Sequence, residues 1–135
     1  MRNFAALALM TLLVPIALHA ADLAIPPAYP SVAQAASDAH ATRSWKISLI
    51  PLVASQGLDT SSSWGMRELN PVLADRDGAF SGKAAAVKFG AVGAFIGIEY
   101  LVIRKYPRSA RVFAKMNWAG AILTTGFAVH NYAIR

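Results

Sequence analysis

The sequence predicts an all-α protein, a small transmembrane helical bundle of about three helices after an N-terminal signal segment. Three observations carry this expectation. Hydrophobic residues make up 56% of the 135-residue chain and charged residues 15%, well to the apolar side of ordinary soluble domains. The first 21 residues have the layout of an export signal. Two later stretches stay apolar over the length of a bilayer crossing. The chain divides accordingly into a signal segment (1–21), a Pro/Ala-rich leader (22–42) and a membrane helical domain (43–135).

The signal segment begins with a positive charge at Arg2, runs apolar from Phe4 to Leu18 past the helix-disturbing Pro15, and exits through Ala20 and Ala21. Cleavage after Ala20 or Ala21 is the expected processing. Leu18 and His19 depart from a small-x-small site, which leaves an uncleaved anchor as the alternative. In the leader, Pro26, Pro27 and Pro30 prevent a regular helix, so it is read as extended, with a helix able to enter only after Pro30. The first helix of the membrane domain is expected from Trp45 to about Trp64. Its first half is apolar (Ile47, Leu49, Ile50, Leu52, Val53) and its second polar (Gln56, Asp59, Thr60, Ser61, Ser62, Ser63), which makes it a poor crossing on its own.

The second helix is clearer. Ala84 to Ile103 is twenty residues with only Lys88 and Glu99 charged, and such a helix is about 30 Å long. Gly93 and Gly97 form a small-xxx-small pair and Ala86 and Gly90 another, giving a smooth face for close helix packing. The third helix, Val112 to Ile134, carries Gly120, Thr124, Thr125 and Gly126 among apolar residues, with Trp118 and Tyr132 where interfacial aromatics often sit. A basic turn, Arg104 to Arg111, joins the last two helices around Pro107. The positive-inside tendency puts that turn in the cytoplasm, whereas a cleaved signal followed by three crossings puts it outside, so orientation is left open.

The net charge of +6 does not point to nucleic acid, because the basic residues cluster beside apolar segments without interleaved aromatics. Anionic membrane lipids are the expected partner. With no cysteine, there is neither a disulfide staple nor thiolate chemistry. No metal site is expected: His40 and His130 have no second histidine nearby, and His19 leaves with the signal. No cofactor is expected either.

The least ordinary stretch is Leu58-Asp59-Thr60-Ser61-Ser62-Ser63-Trp64-Gly65-Met66-Arg67-Glu68-Leu69-Asn70-Pro71. With Lys88 in the following helix and His130 late in the last, this ordered set resembles a family of small, functionally uncharacterised bacterial membrane proteins, over about residues 55–132. The resemblance implies membrane architecture and no reaction. Read from the residues alone, Asp59 needs a partner, since an unpaired carboxylate in hydrocarbon costs several kcal/mol. A hairpin of the first two helices brings Lys88 to its depth, and His130 returns to the same end. Asp59, Glu68, Asn70, Lys88 and His130 are therefore the polar cluster candidates, either as a structural lock between helices or as a proton-exchanging or ligand-binding pocket. Asn70-Pro71 is read as a turn and Ser61, Ser62 and Ser63 as cap or backbone-bonding residues. Glu99 is expected to snorkel outward toward Arg104.

The leading expectation for function is a structural or accessory protein of the bacterial cell envelope, exported by its signal to the inner membrane and packing with a protein partner or with copies of itself. The alternative is a minimal membrane enzyme or proton-linked binding protein using Asp59, Lys88 and His130. A further alternative is an exported soluble helical bundle. No catalytic residue is identified.

Overall fold

The computed structural model describes residues 31–68 and 70–134. The signal segment and the first part of the leader lie outside the described residues. Three helices dominate: α1 (Val32–Ser63), α2 (Gly82–Lys105) and α3 (Ala110–Ala133), with a short 3-10 turn (Pro107–Ser109) before α3.

The first helix begins at Val32, where the leader could enter a helix after Pro30, and runs without a break into the segment expected to start at Trp45; residues 32–42 are thus helical and not extended. The start is set by Ser31, whose side chain accepts from Gln34 N at 3.1 Å while its carbonyl accepts from Ala35 N. Ala33, Ala35, Ala36, Ala39 and Ala41 then supply strong helix formers once the prolines are passed. The helix continues through Pro51, which has no N–H to give the Ile47 carbonyl.

Past α1, Gly65 turns the chain with φ +74, the left-handed conformation that glycine adopts at helix ends. Residues 66–80 form a small hairpin-like connection. Its rungs are Phe80 N to Met66 O at 2.8 Å, Glu68 N to Gly78 O at 2.9 Å and Gly65 N to Phe80 O at 3.0 Å. Asn70 caps the turn within it by accepting Val72 N on its side chain, as an Asx turn does. Phe80 is buried and anchors this connection against the bundle.

α1 and α3 run parallel, because α2 returns between them in sequence and the turn at Pro107 reverses the chain again. Their register is set by Asn117 on Ser48 and Asn131 on Ser62, both 69 residues apart, and Gln56 on Thr124, 68 apart. The buried positions of α1 repeat every seven residues in two series, Ala41, Ser48, Ser55, Ser62 and Trp45, Leu52, Asp59. α3 matches them with Ala114, Ala121 and Ala128 and with Ala110 and Asn117. In this register the three alanines fall level with Trp45, Leu52 and Asp59. Each large side chain meets a small one, the arrangement that lets helix backbones approach closely, and the seven-residue repeat keeps the seam facing its partner.

α2 joins this pair mainly near its two ends. Only Ala84, Glu99 and Ile103 are buried on it, and Ile103 packs into a cluster with Ala41, Trp45, Ala110, Phe113 and Ala114. The expected small face meets no other helix among the described residues: Ala86, Gly90, Gly93 and Gly97 are exposed, and a Cβ added at any of the three glycines would touch none of the described residues within 4 Å. Close packing inside the chain uses α1 and α3 instead, where serine and alanine play the part assigned to glycine.

Candidate functional site

The interior of the bundle is unusually polar. Ser48, Ser55, Gln56, Asp59, Ser62, Glu99 and Asn117 are all buried, and they fall into two clusters joined by the α1 and α3 seam.

The first lies at the end capped by the 66–80 connection. Asp59 projects from the buried stripe of α1 and forms an ion pair with Lys88 Nζ of α2. Lys88 also lies over the Phe80 ring, 4.9 Å from its centroid, a favourable placement for a cation on an aromatic face. Phe80 in turn meets Trp64 edge-on. Both charges of the pair are thus answered within the fold, and the ammonium is further favoured by the negative face of the Phe80 ring.

The other sequence candidates lie at the same end without entering this pair. Glu68 Oε1 accepts the backbone N–H of Asn70 at 2.9 Å, so these two residues shape their own loop. His130 is on the exposed side of the last turns of α3. Ser61 and Ser62 donate to the carbonyls of Leu58 and Asp59, the backbone bonding expected of hydroxyls in a helix. Ser62 and Ser63 also accept from Asn131 Nδ2 at 3.3 and 3.0 Å, and Ser61 is hydrogen-bonded to Tyr132. The serine run therefore ties the end of α1 to the end of α3.

The second cluster corrects the reading of Glu99. It does not snorkel toward Arg104; it is fully buried. Trp45 Nε1 donates to Glu99 Oε2 at 2.7 Å and Asn117 Nδ2 donates to the same oxygen at 3.1 Å. Asn117 also donates to Ser48 Oγ at 3.2 Å, and Ser48 donates to the Trp45 carbonyl. One donor from α1 and one from α3 thus converge on a single carboxyl oxygen of α2. Glu99 Oε1 and Asn117 Oδ1 are buried without a hydrogen-bond partner.

Sequence reasoning missed Trp45 and Asn117 as its partners. The signal available was the spacing: Lys88 and Glu99 are eleven residues apart, three helical turns on one stripe, and if Lys88 faces inward so must Glu99. Compared with known proteins, the chain matches no family model, no curated protein and no solved structure.

Proposed function

We propose that the protein is a small, non-enzymatic structural or accessory component of the bacterial inner membrane, reached through its N-terminal signal, with all three helices embedded and α2 packing against another apolar helix. The observation that carries this reading is a partly polar interior beneath an exterior rich in large apolar side chains, among the described residues. Seven polar or charged side chains are buried, while large apolar ones stand exposed on every helix: Ile50 and Leu58 on α1, Ile98 and Leu101 on α2, Ile122, Phe127 and Val129 on α3. A soluble protein exposing so continuous an apolar belt would aggregate, whereas in lipid there is no gain from burying apolar groups, and polar groups bind the helices to one another.

Among the described residues α2 alone is long and apolar enough to cross a membrane by composition. The polar interior supplies part of the reason why α1 and α3 fall short of that measure: Ser48, Ser55, Asp59, Ser62 and Asn117 lower the average while buried, and the exposed Arg43, Lys46, Arg111 and Lys115 toward the helix N-terminal ends lower it further. The Asp59–Lys88 and Glu99 clusters then act as locks that hold register between helices. The pairing of Asp59 with Lys88 supports this role for the first cluster, and the convergence of Trp45 and Asn117 on Glu99 supports it for the second.

The test is extraction. Membranes containing the full chain are washed with alkaline carbonate, and the protein is expected to stay in the pellet and to require detergent for release. Release by carbonate alone would favour the exported soluble bundle and end this reading.

A further inference from the structure

Away from both polar clusters, a groove of about 510 Å³ opens between the N-terminal halves of α1 and α3, within the roughly 300–1,000 Å³ typical of small-ligand sites. α1 lines it with Ser37, His40 and Ser44, and α3 with Arg111, Lys115 and Trp118. The helical spacing accounts for the convergence. Residues 37, 40 and 44 share one face of α1, and 111, 115 and 118 share one face of α3. The floor is small and apolar, Ala41 and Ala114, because the seam between the helices is built from alanine at that level. No carboxylate lines it. The acid nearest in sequence, Asp38, accepts a hydrogen bond from Gln34 Nε2 at 2.8 Å.

We propose that this groove is a binding site for the phosphate headgroup of an anionic phospholipid. Arg111 and Lys115 face the phosphate, with the guanidinium of Arg111 steadied by its hydrogen bond to Ser37. Guanidinium pairs with phosphate oxygens through parallel N–H donors and lysine contributes a point charge. His40 and the Ser44 hydroxyl add further polar groups. Trp118, about half exposed, is an aromatic of the kind that sits at headgroup depth, and the alanine floor suits the glycerol and the first carbons of an acyl chain.

The site lies at the end of the bundle that carries a marked excess of positive charge. Arg43, Lys46, Arg104, Lys105 and Arg108 are exposed around it, whereas at the other end Arg67, Arg76, Lys83 and Lys88 are matched by Asp59, Glu68, Asp75 and Asp77. Each basic residue near a membrane surface draws anionic lipid, and the groove gives that attraction a defined seat. Its biological setting rests on the membrane reading above, while occupancy of the groove can be measured independently of it.

The experiment uses the full chain in an uncharged detergent and titrates short-chain dihexanoyl-phosphatidylglycerol below its micelle concentration, with binding read by native mass spectrometry. Dihexanoyl-phosphatidylcholine and inorganic phosphate are titrated in parallel. Arg111→Gln with Lys115→Gln is compared with Arg76→Gln with Lys83→Gln, which removes the same charge at the far end. The groove pair is expected to weaken phosphatidylglycerol binding at least tenfold and the distant pair less than twofold, with Lys115→Gln alone, at an exposed side chain, intermediate. Equal loss in the two pairs would show general charge attraction and overturn the site. So would phosphatidylcholine binding as tightly as phosphatidylglycerol. Inorganic phosphate binding as tightly as the lipid would assign the groove to a free anion and overturn the lipid. Because the short-chain lipids are monomeric, this result stands apart from carbonate extraction, which alone reads membrane integration.

Discussion

Asp59 and Lys88 illustrate how far a single side chain can be read from sequence. A carboxylate placed among apolar residues must be answered, and a lysine one helix later at the same depth is a plausible answer; the fold joins them. Removing one member leaves the other uncompensated, which costs about 3–5 kcal/mol in a fully buried pair. Lys88 keeps 28% of its side chain exposed, so a loss of about 1–3 kcal/mol is expected after allowing for screening. Asp59→Asn and Lys88→Met should each lower stability in detergent, and the double variant should recover part of the loss; additive losses in denaturant unfolding would separate the two residues. Glu99 offers a second test. Trp45→Phe removes an indole donor to the buried Glu99 carboxyl while keeping most of the ring volume, and a loss of about 1–3 kcal/mol is expected for leaving a buried acceptor short of its donor. In a Glu99→Leu background the same change should cost much less, and an unchanged cost would mean that the indole matters only for packing.

At the scale of the helix, the outcome turns on which small residues face another backbone. Gly90, Gly93 and Gly97 have the spacing of a packing face, yet among the described residues no atom lies within 4 Å of a Cβ built on any of them. Gly93→Leu and Gly97→Leu should therefore leave the unfolding of the isolated chain nearly unchanged while weakening any assembly through α2, measured by crosslinking in native membranes. Loss of stability in the isolated protein would contradict the open face. α3 should behave in the opposite way. Ala121 and Ala128 are buried on the seam with α1, and leucine at either should cost about 1–3 kcal/mol through overpacking, or more if the helices are forced apart. Gly120 sits beside them, but an added Cβ would meet Leu52 Cδ1 at 3.5 Å, an ordinary contact. Gly120→Ala should be tolerated, or should stabilise by up to about 1 kcal/mol through the better helix propensity of alanine.

For the molecule as a whole, the apolar belt and polar interior lead to a prediction that separates lipid from water as the surrounding medium. Ile50 and Ile122 are 71% and 68% exposed. A lysine at either would improve solubility in a water-soluble bundle. In a bilayer it would cost about 2.5–3.5 kcal/mol near the middle of a helix. Ile50→Lys and Ile122→Lys should therefore reduce the amount of protein in carbonate-washed membranes, and undiminished accumulation in a soluble fraction would favour the soluble bundle. The sequence by itself determined that the chain is helical, roughly where α2 and α3 begin and end, and that Asp59 needs a cation, because length, periodic apolarity and the cost of a bare carboxylate are local properties. It left open whether a helix starts after Pro30 or only at Trp45, a choice settled by Ser31 and an alanine-rich stretch that extend α1 back to Val32. Nor did it reveal that Ser48, Gln56 and Ser62 bond Asn117, Thr124 and Asn131, or that Glu99 turns inward to Trp45. Those facts depend on which stripe of each helix meets which neighbour and in what register. Serine and alanine suit a lipid-facing, a loop-facing or a buried position about equally well, so the choice was made only when three helices had to satisfy one another's polar groups in a single packed interior.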